Sequence, residues 1–120
     1  MSTPARRRTA VATLDPPGEA RCCPHLHEAV ELIGKRWSGA IIVVLLEGDA
    51  MRFSEIAQAI PQLSDRLLSE RMKELEARGI VERRVQPDSP GRVEYVLTEM
   101  GRELAPTLRR LKSWSHRWLA

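Results

Sequence analysis

Apolar residues along the chain recur first at helical spacing, then as a solid block, then in near-alternation, and finally at helical spacing again. Leu26, Ala29, Val30 and Ile33 stand at i, i+3, i+4 and i+7, so a short amphipathic helix is expected with Pro24 in its first turn and its end near Gly34. "SGAIIVVLLEG", from Ser38, is apolar nearly all round and predicts a central buried helix stopped by Gly48. Its β-branched run also suits a strand, but its length and the flanking Trp37 and Glu47 favour the helix. "MRF" then reads as an extended link. Ser54 is the expected N-cap of "SEIAQAI", with Ile56 and Ile60 inward and Pro61 ending the turn.

The stretch "SDRLLSERMKELEARG" carries the clearest two-faced pattern. Ser64 is a strong helix starter, Leu63 can staple onto Leu68, and Gly79 suits the left-handed C-terminal turn. With Asp65 at zero and about 100° per residue, Leu67, Leu68, Met72 and Leu75 cluster near about 290°, and Arg66, Ser69, Glu70 and Lys73 near about 110°. "IVERRVQ" and "RVEYVLT" alternate around "PDSPG", which predicts a β-hairpin with Tyr95 in the core. Thr98 is expected to cap one long closing helix with a stripe of Leu104, Leu108, Leu111 and Trp118, flanked by Trp114. The fold class is therefore mainly α with a small β-hairpin, in the order of a winged helix-turn-helix. Residues 1–21 read as a disordered basic arm and residues 22–120 as one domain that includes the closing helix.

The 120 residues suffice for one small domain, which buries roughly two-thirds of its unfolded surface without staples. The longest apolar run, Ala40 to Leu46, falls far short of the roughly 20 residues of a membrane span, and the N-terminus lacks the apolar core of a secretory signal. Cys22 and Cys23 are too few and too close for a disulfide framework, and a cytoplasmic location is the expectation. The net charge of +3 is uneven: residues up to Arg21 sum to +2, residues 22–63 to −2, residues 64–97 to zero, and the stretch from Thr98 to +3. Charge alone does not argue for nucleic acid; the architecture does.

In a helix-turn-helix the second helix presents its first turns to the major groove, where the base edges of all four pairs differ. The expected DNA-binding residues are Ser64, Asp65, Arg66, Ser69, Glu70 and Lys73, with Arg84 and Arg92 on the wing and Arg83 in support. Arg66 is the base reader, because a guanidinium can bond both acceptors of guanine at once. Ser69 suits base or phosphate, Lys73 suits phosphate, and the free N–H groups at the Ser64 end suit a phosphate oxygen. Glu70 would repel phosphates unless it steers Arg66, pairs with Lys73, or accepts from a cytosine amine. The same four residues also fit a solvated helix face. Arg92 beside "PDSPG" suits a minor groove or a phosphate, and equally an ordinary surface charge.

"CPHLHEAVELIGKRW", "RFSEIAQAIPQLSDRLLSERMKELEARGIVERRV" and "GRVEYVLTEMGREL" together resemble the HxlR-type transcriptional regulators, a winged helix-turn-helix family related to the MarR group. The similarity covers roughly residues 23 to 119 and rests on joint order and spacing. It implies a homodimer on pseudo-palindromic double-stranded DNA, joined through terminal helices. Leu26, Leu104, Leu108, Leu111, Trp114 and Trp118 are then the expected dimer interface, although Leu104 fits an intramolecular core equally well. Some members of the family sense oxidants or electrophiles through a cysteine just before the first helix, a position that Cys23 matches. The positive end of a helix dipole stabilises the thiolate, which is the reactive form. Here the chain departs from the common pattern by adding Cys22, His25 and His27, with one extra residue before Trp37.

Two other classes compete. Cys22, Cys23, His25 and His27 have zinc-ligand chemistry, but six consecutive residues containing Pro24 close poorly around a tetrahedron, so a metal-responsive regulator is the alternative and no metal or cofactor is expected. A winged helix can also bind proteins through the same polar face. No glycine-rich phosphate loop, paired carboxylates or nucleophile constellation supports an enzyme.

Overall fold

A computed structural model describes residues 20–120, in two units that divide between Glu31 and Leu32. The expected basic arm lies outside the described residues, apart from Ala20 and Arg21, which are exposed. The elements are α1 (Pro24–Gly34), α2 (Ser38–Gly48), α3 (Phe53–Ala59), α4 (Asp65–Ala77), β1 (Val81–Val85), β2 (Val93–Leu97), α5 (Glu99–Arg102) and α6 (Ala105–Trp118). No described helix is long and apolar enough to cross a membrane.

In the first unit, Cys23 starts α1. Its carbonyl accepts from the His27 N–H at 2.9 Å and its Sγ from the Leu26 N–H at 3.4 Å, so the thiol stands in for a capping side chain. No residue of α1 is fully buried.

In the second unit, α2 is the central element, as its all-round apolar sequence requires: Ile41, Ile42 and Leu45 are buried. They pack with Ile56 of α3, Leu68, Met72 and Leu75 of α4, Val81 and Leu97 of the hairpin, and Leu108 of α6 in one cluster. Val81 faces Leu97 and Val85 faces Val93 in an antiparallel two-stranded sheet. Met51 exchanges both backbone hydrogen bonds with Tyr95, at 3.0 and 2.7 Å, which adds a bridge along the other side of β2. The link that reads as merely extended in the sequence is therefore fastened to the wing.

That fastening corrects the start of α3. Ser54 is not its cap: the helix begins at Phe53, and Arg52, held extended at φ −81° and ψ 159°, occupies the cap position. Glu55 Oε1 accepts from the Arg52 backbone N–H at 2.8 Å, the glutamate half of a capping box, and the Glu55 N–H is met by the Arg52 carbonyl at 3.0 Å in place of a serine oxygen. The closing helix is also not continuous. Thr98 caps only α5, accepting from the Gly101 N–H at 3.1 Å, and α6 starts afresh at Ala105. Pro106 is the physical cause, because it has no N–H for the Arg102 carbonyl and its ring crowds that carbonyl in a continuous helix. Gly101 lets α5 close on β1: a Cβ there would collide with the Ile80 carbonyl and touch Leu97.

Candidate nucleic-acid interface

Helix α4 is fixed at both ends by its own sequence. The Ser64 Oγ accepts from the Leu67 N–H at 3.2 Å, and Leu63 and Leu68 are both buried beside that turn. At the other end Gly79 takes φ 80°, and Ile80 N–H reaches back to the Leu75 carbonyl at 2.9 Å. This left-handed cap turns the chain directly into β1.

The outward side of α4 holds the residues expected there. Arg66 has a side chain 91% exposed in the first turn, with its Nε 3.6 Å from Glu70 Oε2. Of the roles open to Glu70, the structure adopts the pairing with Arg66. Asp65 and Lys73 are exposed and Ser69 is half-buried. On the hairpin, the Arg92 backbone closes the loop through Gln86 N–H to Arg92 O and Arg92 N–H to Ser89 O, both 2.9 Å. Its Nη2 lies 3.6 Å from Glu94 Oε2, and Gln86 Nε2 donates to Glu94 Oε1 at 2.7 Å. Arg84 Nε is 3.3 Å from Glu82 Oε2, and Arg83 is exposed opposite Tyr95. Tyr95 itself is half-buried against the core cluster.

Sequence reasoning passed over Arg71, which ties α4 to the segment before α2. Its side chain is only 12% exposed; Nε donates to the Arg36 carbonyl at 2.9 Å and Nη1 to Glu74 Oε1 at 3.3 Å. Glu74 Oε2 in turn accepts from Lys35 Nζ at 2.8 Å. The connection before α2 is thereby tied to α4. The Lys35 hydrogen bond is the main reason the Glu74 carboxyl sits below its ordinary pKa; desolvation opposes it, and the charges of Lys35 and Arg71 add to the lowering. A signal was present: at about 100° per residue Arg71 falls between Leu67 and Leu75, on the apolar side.

The residues proposed for dimerisation separate into two groups. Leu108 is 4% exposed and belongs to the chain's own core, and Leu104 is half-buried against it. Leu108 therefore has almost no surface left to offer a partner, whereas Leu104 keeps part of its surface beside the cluster around α2. Leu111, Trp114 and Trp118 are exposed along α6, Trp114 at 52% and Trp118 at 63%, and Leu26 is exposed on α1. Cys22 and Cys23 are exposed free thiols. Among the described residues, no three of Cys22, Cys23, His25, His27 and any neighbouring carboxylate gather as metal ligands.

A helix-turn-helix of α3 and α4, followed by a β-hairpin and clamped on a central helix, defines the class of winged helix-turn-helix DNA-binding regulators. The family described as HxlR-like helix-turn-helix matches over residues 32–120. The chain is 46% identical over 101 residues to YvaP of Bacillus subtilis (strain 168), an uncharacterised HTH-type transcriptional regulator, covering 84% of this chain and 93% of that one. It superposes on the reduced form of the B. subtilis regulator YodB with a TM-score of 0.73 and 44% identity, covering 82% of this chain and 95% of that one; YodB has also been solved quinone-bound. The oxidised form of the redox regulator HypR gives a TM-score of 0.72 at 37% identity, over 79% and 96% of the two chains. The chain belongs to the HxlR-like family of transcriptional regulators.

Proposed function

We propose that the chain binds operator DNA as a homodimer, with the first turns of α4 in the major groove, the hairpin as a wing, and Cys23 as an oxidant- or electrophile-responsive thiol. The observation that carries the DNA reading is the Arg66 guanidinium, held out on the first turn of a helix whose opposite face is buried. Glu70, four residues on, lies 3.6 Å from the Arg66 Nε and leaves the guanidinium exposed to solvent. Ser64, Asp65, Ser69 and Lys73 surround it on the same end, and Arg84 and Arg92 carry the wing. Leu111, Trp114 and Trp118 are the proposed contact with the second copy, since apolar area of this kind gains by being covered. Leu26, exposed in its own unit, is a separate candidate contact.

The experiment is binding of the purified protein to fragments selected from genomic DNA. Arg66→Ala relaxes preference at one base position by about 1–3 kcal/mol, whereas Lys73→Ala weakens all sequences alike. Equal losses across sequences for both variants would contradict the assigned roles.

The thiol reading rests on Cys23 as an exposed thiol at the start of α1, its Sγ accepting from the Leu26 N–H. YodB, with its quinone-bound form, and HypR, a redox regulator with an oxidised form, make that chemistry the reading to test here. Oxidant-triggered release from DNA should disappear in Cys23→Ser. Release that persists in that variant dismisses Cys23 as the sensor.

A further inference from the structure

Where α3 begins beside the wing, the surface forms an open groove of about 440 Å³ lined by Arg52, Phe53, Ser54, Gly91, Arg92 and Val93. Two of the six are arginines and none is acidic, in a region where α4 and the hairpin sum to zero charge. We infer that this groove is a phosphodiester clamp, in which Arg52 and Arg92 each take a phosphate of one DNA strand as it passes between the start of α3 and the wing. The inference rests on the DNA-binding reading above and adds Arg52 to it.

The register explains why these two side chains share the groove. Met51 pairs with Tyr95, so Arg52, the next residue along, comes level with Glu94 and its neighbours Val93 and Arg92. Residues that alternate along β2 share a face, which puts Arg92 on the same side as Glu94. Arg52 keeps its guanidinium available because capping of α3 uses its backbone: the N–H goes to Glu55, while the Arg52 Nη2 to Glu55 Oε2 distance is a loose 3.8 Å. The Ser54 hydroxyl, displaced from the cap role, is exposed on the groove as a further donor. Gly91, at φ 89° with open space where a Cβ would stand, leaves the wing side unobstructed. The nearby carboxylates have closer partners, Glu55 in the Arg52 backbone N–H at 2.8 Å and Glu94 in the Gln86 amide at 2.7 Å, while the Arg92 to Glu94 contact, at 3.6 Å, is as loose as that of Arg52. Guanidinium is the group best matched to a phosphate's paired oxygens, and the first helix of a helix-turn-helix is the one that meets the DNA backbone.

The test uses the full chain and fluorescein-labelled duplexes of two unrelated mixed sequences, read by anisotropy across a salt series. Each phosphate contact contributes about 0.9 to the slope of log affinity against log salt. Arg52→Gln should lower that slope by about 0.9, so that raising salt from about 50 to about 200 mM costs it about 3.5-fold less affinity than the wild type. The loss should be the same for both duplexes, Arg92→Gln should behave likewise, and Arg52→Lys should keep the wild-type slope. Replacing chloride by inorganic phosphate at equal ionic strength should weaken wild-type binding more than that of Arg52→Gln, because the free anion competes for the same guanidinium. An unaltered slope in Arg52→Gln beside a reduced one in Arg92→Gln would overturn the clamp and leave the DNA reading standing. Calorimetric binding of inorganic phosphate that is lost in Arg52→Gln, beside an unaltered salt slope for DNA in that variant, would assign the groove to a free anion and overturn it too. Wild-type protein that binds neither duplex at any salt sinks the DNA reading and the clamp together.

Discussion

Helices α4 and α6, of 13 and 14 residues, each bury one stripe in the same core, yet only α6 adds large apolar side chains to the charges it turns outward. Beyond Leu68, Met72 and Leu75, α4 shows Arg66, Glu70 and Lys73; beyond Ala105 and Leu108, α6 shows Leu111, Trp114 and Trp118. The outward face of α4 is at rest in water, since exposed charges keep their hydration. The outward face of α6 is not, because apolar area covered by a partner gains about 25 cal/mol per Å². The difference teaches which partner each face suits: one that exchanges ions and hydrogen bonds for α4, and one that excludes water for α6.

The comparison breaks first, and hardest, at the shared core. Leu68→Ala removes a fully buried side chain that clamps α4 to α2, and should cost about 2–5 kcal/mol in denaturant unfolding. A loss well under that range would mean that α4 is not held as described, and the contrast of faces would lose its basis. Next in size is the tryptophan pair. Trp114→Ser with Trp118→Ser should weaken self-association by about 2 kcal/mol, roughly thirtyfold, read by sedimentation equilibrium. Because both rings are already half in water, the same change should leave the unfolding of the single chain nearly unaltered. Unchanged association would return this face to an ordinary solvated surface. The Arg66 and Lys73 variants come third, and sharpen the comparison by separating two roles within one polar face.

What the sequence made legible follows from how local each cause is. The bounds of α1, α2 and α4, the Ser64 cap and the left-handed Gly79 all came from signals within a few residues. The misread starts and breaks had causes elsewhere. Ser54 looked like a cap because serines cap, but the bridge between Met51 and Tyr95, residues 44 apart in number, holds the chain extended and makes Arg52 the cap. The closing helix read as one because its leucine stripe keeps period across Pro106, and period outweighed the missing N–H. Leu108 and Trp118 belong to one stripe on paper; only the position of α2 decides that the first is core and the second is surface. On α4, the exposed side chains followed from their angle around the helix, whereas Arg71 was missed because its backbone partner, the Arg36 carbonyl, is made a neighbour by the fold.

The smallest effect tests the strap that holds α4 in place rather than either of its faces. Hydrogen bonding to Lys35, with Arg71 alongside, lowers the Glu74 pKa in the folded chain, so the ionised carboxylate is bound more favourably folded than unfolded. A depressed carboxyl contributes stability that is fully present above its unfolded pKa and is lost as pH falls through the folded one. Glu74→Gln should therefore lower the thermal midpoint slightly at neutral pH, and the gap to wild type should close as the solution is acidified through and below the ordinary carboxylate range. Lys35 and Glu74 are both substantially exposed, so the gap should also shrink with added salt. A gap that stays constant with pH would show that Glu74 acts through packing or a neutral hydrogen bond. In that case Arg71, through the Arg36 carbonyl, holds the start of α2 against α4 without help from the charge of Glu74.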